Sequence, residues 1–208
     1  TLANSGIASI TISLDGLEET HDWLRGRSGS FQRAVAGIRA LAHLPLDFSD
    51  VVTCVHPGNL RQLPEIMQLL RSLGIRHWRL FSIFPKGRAK ANSDLILDEE
   101  QFRRLLTFIA TQRERLAGDD DFHLAFSCEG FLPTAIDEQV RDEPYFCRAG
   151  INIGSVLCDG SIAACPNITR SLIQGNILED DFAAVWEERF TPFRNRDWMR
   201  TGPCIDCQ

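Results

Sequence analysis

The chain has 208 residues, 44% of them hydrophobic and 24% charged, an ordinary globular composition with enough length for one sizeable core or one and a half domains. Its formal charge of -6 comes without any basic run, which excludes an electrostatic footprint for nucleic acid or an anionic membrane. No apolar run approaches the roughly 20 residues that span a bilayer and the first residues lack a signal pattern, so the chain reads as cytoplasmic, with no nucleic-acid or membrane partner.

In chain order, the β-branched run Ile7–Gly16 predicts a strand, and the apolar spacing of Phe31, Val35, Ile38 and Leu41 predicts the helix after it. The pattern returns as FSDVVTCVHP and a helix with the stripe Leu63, Ile66, Leu69, Leu70 and Leu73, stopped by Gly74. It returns again as HWRLFSIF and a helix capped by Asp98, and FHLAFSC is a fourth strand candidate. Such alternation means parallel strands with functional residues at their C-terminal ends. Three units do not close a barrel, and the chain starts at Thr1 almost directly on a strand, so units N-terminal to it are expected; a small open α/β sheet is the alternative.

From about Asp142 the composition changes, which sets expected domains of 1–141 and 142–208. SVLCDGSIAAC reads as two short strands across an Asp-Gly turn, and EDDFAAVWEERF and PFRNRDWM as two helices leading to Cys204.

Seven cysteines in a chain of this size argue against disulfide staples and for metal or redox chemistry. Cys147 and Cys165 are joined by a hairpin, and Cys204 and Cys207 form a CxxC turn; four thiolates around one point suit zinc or an iron-sulfur cluster, and spacing alone does not choose between them. Cys54, inside VVTCVH, reads as a buried, inert thiol, and Cys128, at the end of the fourth strand candidate, as a core cysteine with a substrate-facing role as the alternative.

Cys147, twelve residues, Gly160, four residues and Cys165, followed by Cys204-x-x-Cys207, resembles the opening of the SPASM motif of radical S-adenosylmethionine enzymes. SLDGLEETHDWLRGRSGSF, Ser13 to Phe31, is similar to the fourth barrel strand of that family and the helix after it. FPKGRA fits its sixth-strand region.

The resemblance implies the second half of a partial (β/α) barrel followed by a small cysteine-rich α+β module, incomplete at both ends and inactive alone. The family's CxxxCxxC is absent from this chain. It implies [4Fe-4S] clusters and S-adenosyl-L-methionine as cofactors, with a 5'-deoxyadenosyl radical modifying a ribosomally made peptide or protein and a reductant such as a flavodoxin or ferredoxin. Cys147, Cys165, Cys204 and Cys207 would ligate auxiliary clusters, with Cys158 an extra thiol. Ser13 and Asp15 would hydrogen-bond the cofactor and Arg25 would pair with its carboxylate; a plain strand-to-helix turn at Asp15 and a surface salt bridge at Arg25 stay open. His21 and Asp22 read as loop ties, and no catalytic residue is assigned. Trp78, Phe81 and Phe84 read either as the lining of a peptide channel or as core. Pro166 and Asn167 stand where sulfatase-maturing members carry an aspartate, which argues against formylglycine formation. Two other functions compete: a zinc-binding α/β protein-interaction module, and radical chemistry on a small molecule such as a tetrapyrrole.

Overall fold

A computed structural model describes residues 6–118, 121–127, 130–202 and 205, and the chain divides into two units, Thr1–Tyr145 and Phe146–Gln208. Among its described residues the first holds four strands, β1 (Ser9–Ser13), β2 (Phe48–Val55), β3 (His77–Ser82) and β4 (His123–Phe126). All pair in parallel in the order β1-β2-β3-β4. Parallel neighbours need long crossovers, and helices supply them. α1 (Glu18–Arg25) and α2 (Ser30–Leu41) follow β1, α3 (Leu63–Ser72) follows β2, α4 (Glu99–Arg115) follows β3, and α5 (Thr134–Val140) comes after β4.

Strand alternation decides what each face carries. Ile12, Val51, Trp78 and Leu124 lie in one pairing row, and with Val55, Leu80 and Phe126 they join Ile38 and Leu41 of α2, Leu63, Ile66 and Leu70 of α3 and Leu105 and Ile109 of α4 in one core. The opposite face holds a buried polar group: Asp50, fully buried, accepts from Thr11 Oγ1 at 2.6 Å and pairs with Arg79. At the N-terminal edge His77 stacks on His123 with ring centroids 4.9 Å apart.

Local chemistry starts α4 and stops α3 as the sequence predicts. Asp98 and Gln101 form a reciprocal capping box at the start of α4, at 2.7 and 3.0 Å, and Gly74 follows α3 in the left-handed region. α1 is the exception. It has no side-chain cap and begins after Leu17, whose N–H donates instead to Gln62 Oε1 at 2.9 Å, so a tertiary contact sets its start. Two expectations for side chains change. Cys54 is half-buried, because Val51, Thr53 and Val55 take the helix side of β2 and alternation turns Cys54 to the other. Of the three aromatics, Trp78 is core, Phe81 packs half-buried against it, and Phe84 is exposed.

The segment from Asp142 to Tyr145, where the composition shifts, is held to the first unit. Arg113 pairs with Asp142 at 2.9 Å, and the N–H of Tyr145 donates to Asp137 Oδ2 at 3.0 Å.

The second unit has an antiparallel sheet of β5 (Ser155–Val156), β6 (Ser161–Ala163) and β7 (Gly175–Asn176), with β6 central, then α6 (Phe182–Arg189) and α7 (Thr191–Arg194). β7 adds a third strand to the expected hairpin. Ile162, Ala164, Val185, Phe190 and Phe193 form its core. Gly160 makes the turn between β5 and β6 at φ 81°, and a Cβ there would sit 2.6 Å from Asn176 Oδ1, so both backbone and space require glycine.

Candidate functional site

The C-terminal ends of β1 and β2 carry a dense polar frame. Leu14 N–H donates to Val52 O at 2.9 Å, its own carbonyl accepts from Thr53 Oγ1 at 2.6 Å, and Thr53 Oγ1 accepts from Trp78 Nε1 at 2.9 Å. The next residue, Asp15, is 1% exposed. Its Oδ1 accepts from Cys54 N–H at 2.8 Å, its Oδ2 pairs with Arg25, and its carbonyl accepts from Asn59 Nδ2 at 2.8 Å. Asn59 also donates to Cys54 O at 2.9 Å and accepts from His56 N–H at 2.9 Å, so one amide ties the loop after β2 to both strands.

Two of the three residues expected to meet a cofactor are thereby brought together: Asp15 is buried, and Arg25, with a side chain 40% exposed, reaches back from the last turn of α1 to pair with it. Ser13 is half-buried at the end of β1, paired in register with Val52.

His21 and Asp22 tie the loop before α2. Asp15 N–H donates to His21 Nδ1 at 3.0 Å, which leaves the proton of the neutral ring on Nε2, 3.3 Å from Ser30 Oγ. Burial pushes the His21 pKa below its ordinary value against the pull of Asp15, so the neutral form is favoured. Asp22 accepts from the N–H groups of Phe31 at 2.7 Å and Gly29 at 2.5 Å; these bonds, Phe31's first, hold its carboxyl below the usual range. A residue that sequence reasoning missed is His56, buried one position past β2 against Trp23 of α1. Its only signal was a histidine followed by Pro-Gly-Asn at a strand's C-terminal end.

In the second unit Cys147 and Cys165 are half-buried and Cys158 is exposed. Cys147 O accepts from Arg196 Nη2 at 2.8 Å, and the sulfur of Cys165 accepts the N–H of Asn167 at 3.5 Å. A backbone N–H aimed at a cysteine sulfur stabilises the thiolate form that metal ligation needs, and hydrogen bonds to sulfur tune iron-sulfur clusters, so the donor at Cys165 fits such a group. Cys204, Cys207 and Cys128 lie outside the described residues; among the described ones, no three His, Cys, Asp or Glu side chains converge as metal ligands. The turn between Cys147 and Cys165 is braced by Asp159, whose side chain binds Arg170 at 2.5 Å and accepts from Ser161 N–H at 3.1 Å. Arg170 is the main reason its carboxyl titrates at about 2.

Residues 147–208 match the family model of SPASM, an iron-sulfur cluster-binding domain. Over 98% of its length the chain is 24% identical to an AdoMet-dependent heme synthase of Nitratidesulfovibrio vulgaris, covering 58% of it, and over 99% it is 30% identical to the mycofactocin maturase MftC of Mycobacterium tuberculosis, covering 51%. Residues 147–208 form a SPASM domain, and the chain as a whole resembles radical S-adenosylmethionine enzymes that carry one. Its fold agrees. Streptococcus suis SuiB, solved bound to S-adenosylmethionine, superposes on 99% of the chain with a TM-score of 0.64 at 17% identity, over 48% of SuiB; SuiB solved with its precursor peptide SuiA gives 0.62. The chain thus spans about half to three-fifths of these relatives, with a SPASM domain behind part of a parallel α/β fold. No helix among its described residues is long and apolar enough to cross a membrane.

Proposed function

We propose that the full-length protein uses S-adenosylmethionine and iron-sulfur clusters to modify a ribosomally made peptide or protein. The carrying observation is the 30% identity to the mycofactocin maturase MftC across 99% of the chain, spanning the sheet and the SPASM domain alike. When bound, the clusters and S-adenosylmethionine would supply radical chemistry for hydrogen-atom abstraction. The protein's part is to hold, orient and exclude water.

In this reading Ser13, Asp15 and Arg25 form the cofactor-facing edge. Asp15 is the positioning residue: with one oxygen on Cys54 N–H and the other on Arg25, it fixes the guanidinium. The exposed side of Arg25 keeps N–H donors for the cofactor's carboxylate, for which a planar fork is suited. Cys147 and Cys165 hold one auxiliary cluster, and Cys204 and Cys207 contribute to a second. A flavodoxin or ferredoxin supplies electrons, and the chemistry belongs in the reducing cytoplasm, where thiols stay available as ligands.

A second reading, radical chemistry on a tetrapyrrole, is supported by heme synthases that align with 98–100% of the chain. The full-length protein, reconstituted anaerobically with reductant and S-adenosylmethionine, decides between them when given the short peptides encoded beside its gene and, separately, iron tetrapyrroles. Mass change on a peptide with matching 5'-deoxyadenosine supports the first reading. Turnover of the tetrapyrrole alone replaces it with the second, and stoichiometric zinc without iron removes both.

A further inference from the structure

Of the chain's 22 lysines and arginines only two are lysine, Lys86 and Lys90, and both stand in the loop that follows β3. Arginine is the cation everywhere else, and much of it is structural: Arg25, Arg79, Arg113, Arg141 and Arg189 each pair with an aspartate. The two cations are not interchangeable. A guanidinium is a planar fork that suits a fixed carboxylate, whereas an ammonium is a compact point charge on a flexible stem, with three rotatable donors that can follow a mobile one. The surrounding sequence is lopsided too. From Ile66 to Ser93 it holds six lysines and arginines and no aspartate or glutamate, in a chain whose formal charge is -6.

The loop presents the two lysines to solvent just past the C-terminal end of β3, and both are exposed. Gly87 turns the chain between them in the left-handed region, at φ 55°, and the 3-10 turn Gly87–Ala91 carries Lys90. Beside them Phe84 is 41% exposed, with Lys86 Nζ 5.7 Å from its ring centroid, so charge and an apolar face stand side by side.

A partner for this surface brings carboxylates for the two ammonium groups and an apolar group for Phe84. A nucleic acid does not fit, because the chain is acidic overall and repels a phosphate backbone. An acidic peptide does, because its charges are interleaved with apolar side chains along an extended backbone. The C-terminal ends of parallel strands are also where such a sheet meets its ligands. We propose that Lys86, Lys90 and Phe84 form a recognition patch for an acidic segment of the peptide substrate, and so set the class of peptide that the protein accepts. This inference rests on the proposed peptide-modifying function.

The test is fluorescence anisotropy on the full-length reconstituted protein with two end-capped, dansyl-labelled peptides. One alternates glutamate with alanine around a single leucine, and the other has glutamine in place of every glutamate. At low ionic strength the glutamate peptide should bind about tenfold more tightly than its partner, and the difference should shrink toward about 0.15 M salt. Lys86→Gln with Lys90→Gln should abolish the preference while S-adenosylmethionine binds as to wild type. Lys86→Arg with Lys90→Arg should keep the preference in part, and Phe84→Ala should weaken both peptides alike. A preference that is absent from the wild type, or that survives in the double glutamine variant, overturns the patch and leaves the proposed function standing. A parallel loss of S-adenosylmethionine binding in that variant overturns the patch as well, since the lysines would then be general supports of the fold. Turnover of an iron tetrapyrrole, when no peptide is modified, overturns the proposed function and the patch together.

Discussion

Arg25, at the end of α1, pairs with Asp15, the buried residue two positions past β1, and so clamps a helix with no side-chain cap onto the sheet. Removing one member of such a pair strands the other. Asp15→Ala leaves the Cys54 N–H without its acceptor and Arg25 without its partner, and should cost about 2–3 kcal/mol, discounted because Arg25 is partly exposed. Arg25→Lys keeps the charge and loses the fork, and should cost less. Urea unfolding of the full-length variants measures both; equal, negligible losses would contradict the clamp.

A second buried carboxylate acts on the face of the sheet away from the helices. Asp50 holds Arg79 and the Thr11 hydroxyl with no exposure of its own. Asp50→Asn should destabilise by about 2 kcal/mol and Thr11→Val by about 1 kcal/mol, less than additively in the double variant because the two share one network. Additive losses would mean that the two side chains act independently.

Three histidines in the first unit, His21, His56 and His77, have pKa values pushed below 6.5, chiefly by burial. The unfolded chain therefore takes up protons near pH 6.5 that the folded chain resists. Their contribution is fully present above the unfolded value and is lost as pH falls through 6.5 and toward the lower folded values. Melting temperature should drop between about pH 7.5 and about pH 5.5, and His21→Gln should flatten part of that slope. A profile without slope would show that these rings protonate as freely folded as unfolded.

In the SPASM domain Asp159 should titrate at about 2, held there first by Arg170. With a depressed folded pKa, its contribution is present above the ordinary value of 3.8 and lost as pH falls from there through about 2. Arg170→Ala should move the carboxyl back toward 3.8, read by carboxyl-carbon NMR titration. An unchanged midpoint would assign the depression to the Ser161 contacts instead.

The four parallel strands and their long helices were legible in the sequence because alternation, helical spacing and end signals such as Asp98 and Gly74 agreed with one another. α1 was not. EETHDWLR lacks a side-chain cap, and Gln62, far along the chain, fixes where it starts. β7 was missed because two residues, Gly175 and Asn176, carry no periodicity. Cys54 shows the limit of reading an apolar run: VVTCV looks buried on both sides, yet only alternate residues of β2 meet the helices. At the site, the types and spacing of Ser13, Asp15 and Arg25 stood out through their family resemblance. His56 is buried there because Trp23 and Gly58 close over its ring, a tertiary fact that no local pattern encodes.

The central claim is a division of labour, with cofactor contacts at the ends of β1 and β2 and cluster ligands in the SPASM domain. Iron counts and calorimetric titration with S-adenosylmethionine, made on the same samples of full-length protein, test it most directly. Cys147→Ala with Cys165→Ala should lose about one cluster's worth of iron while binding S-adenosylmethionine as wild type does, and Cys54→Ala should keep its iron. Arg25→Lys should keep all its iron and bind the cofactor about tenfold more weakly. Cofactor affinity lost equally in both classes, or iron unchanged in the double cysteine variant, would contradict the account.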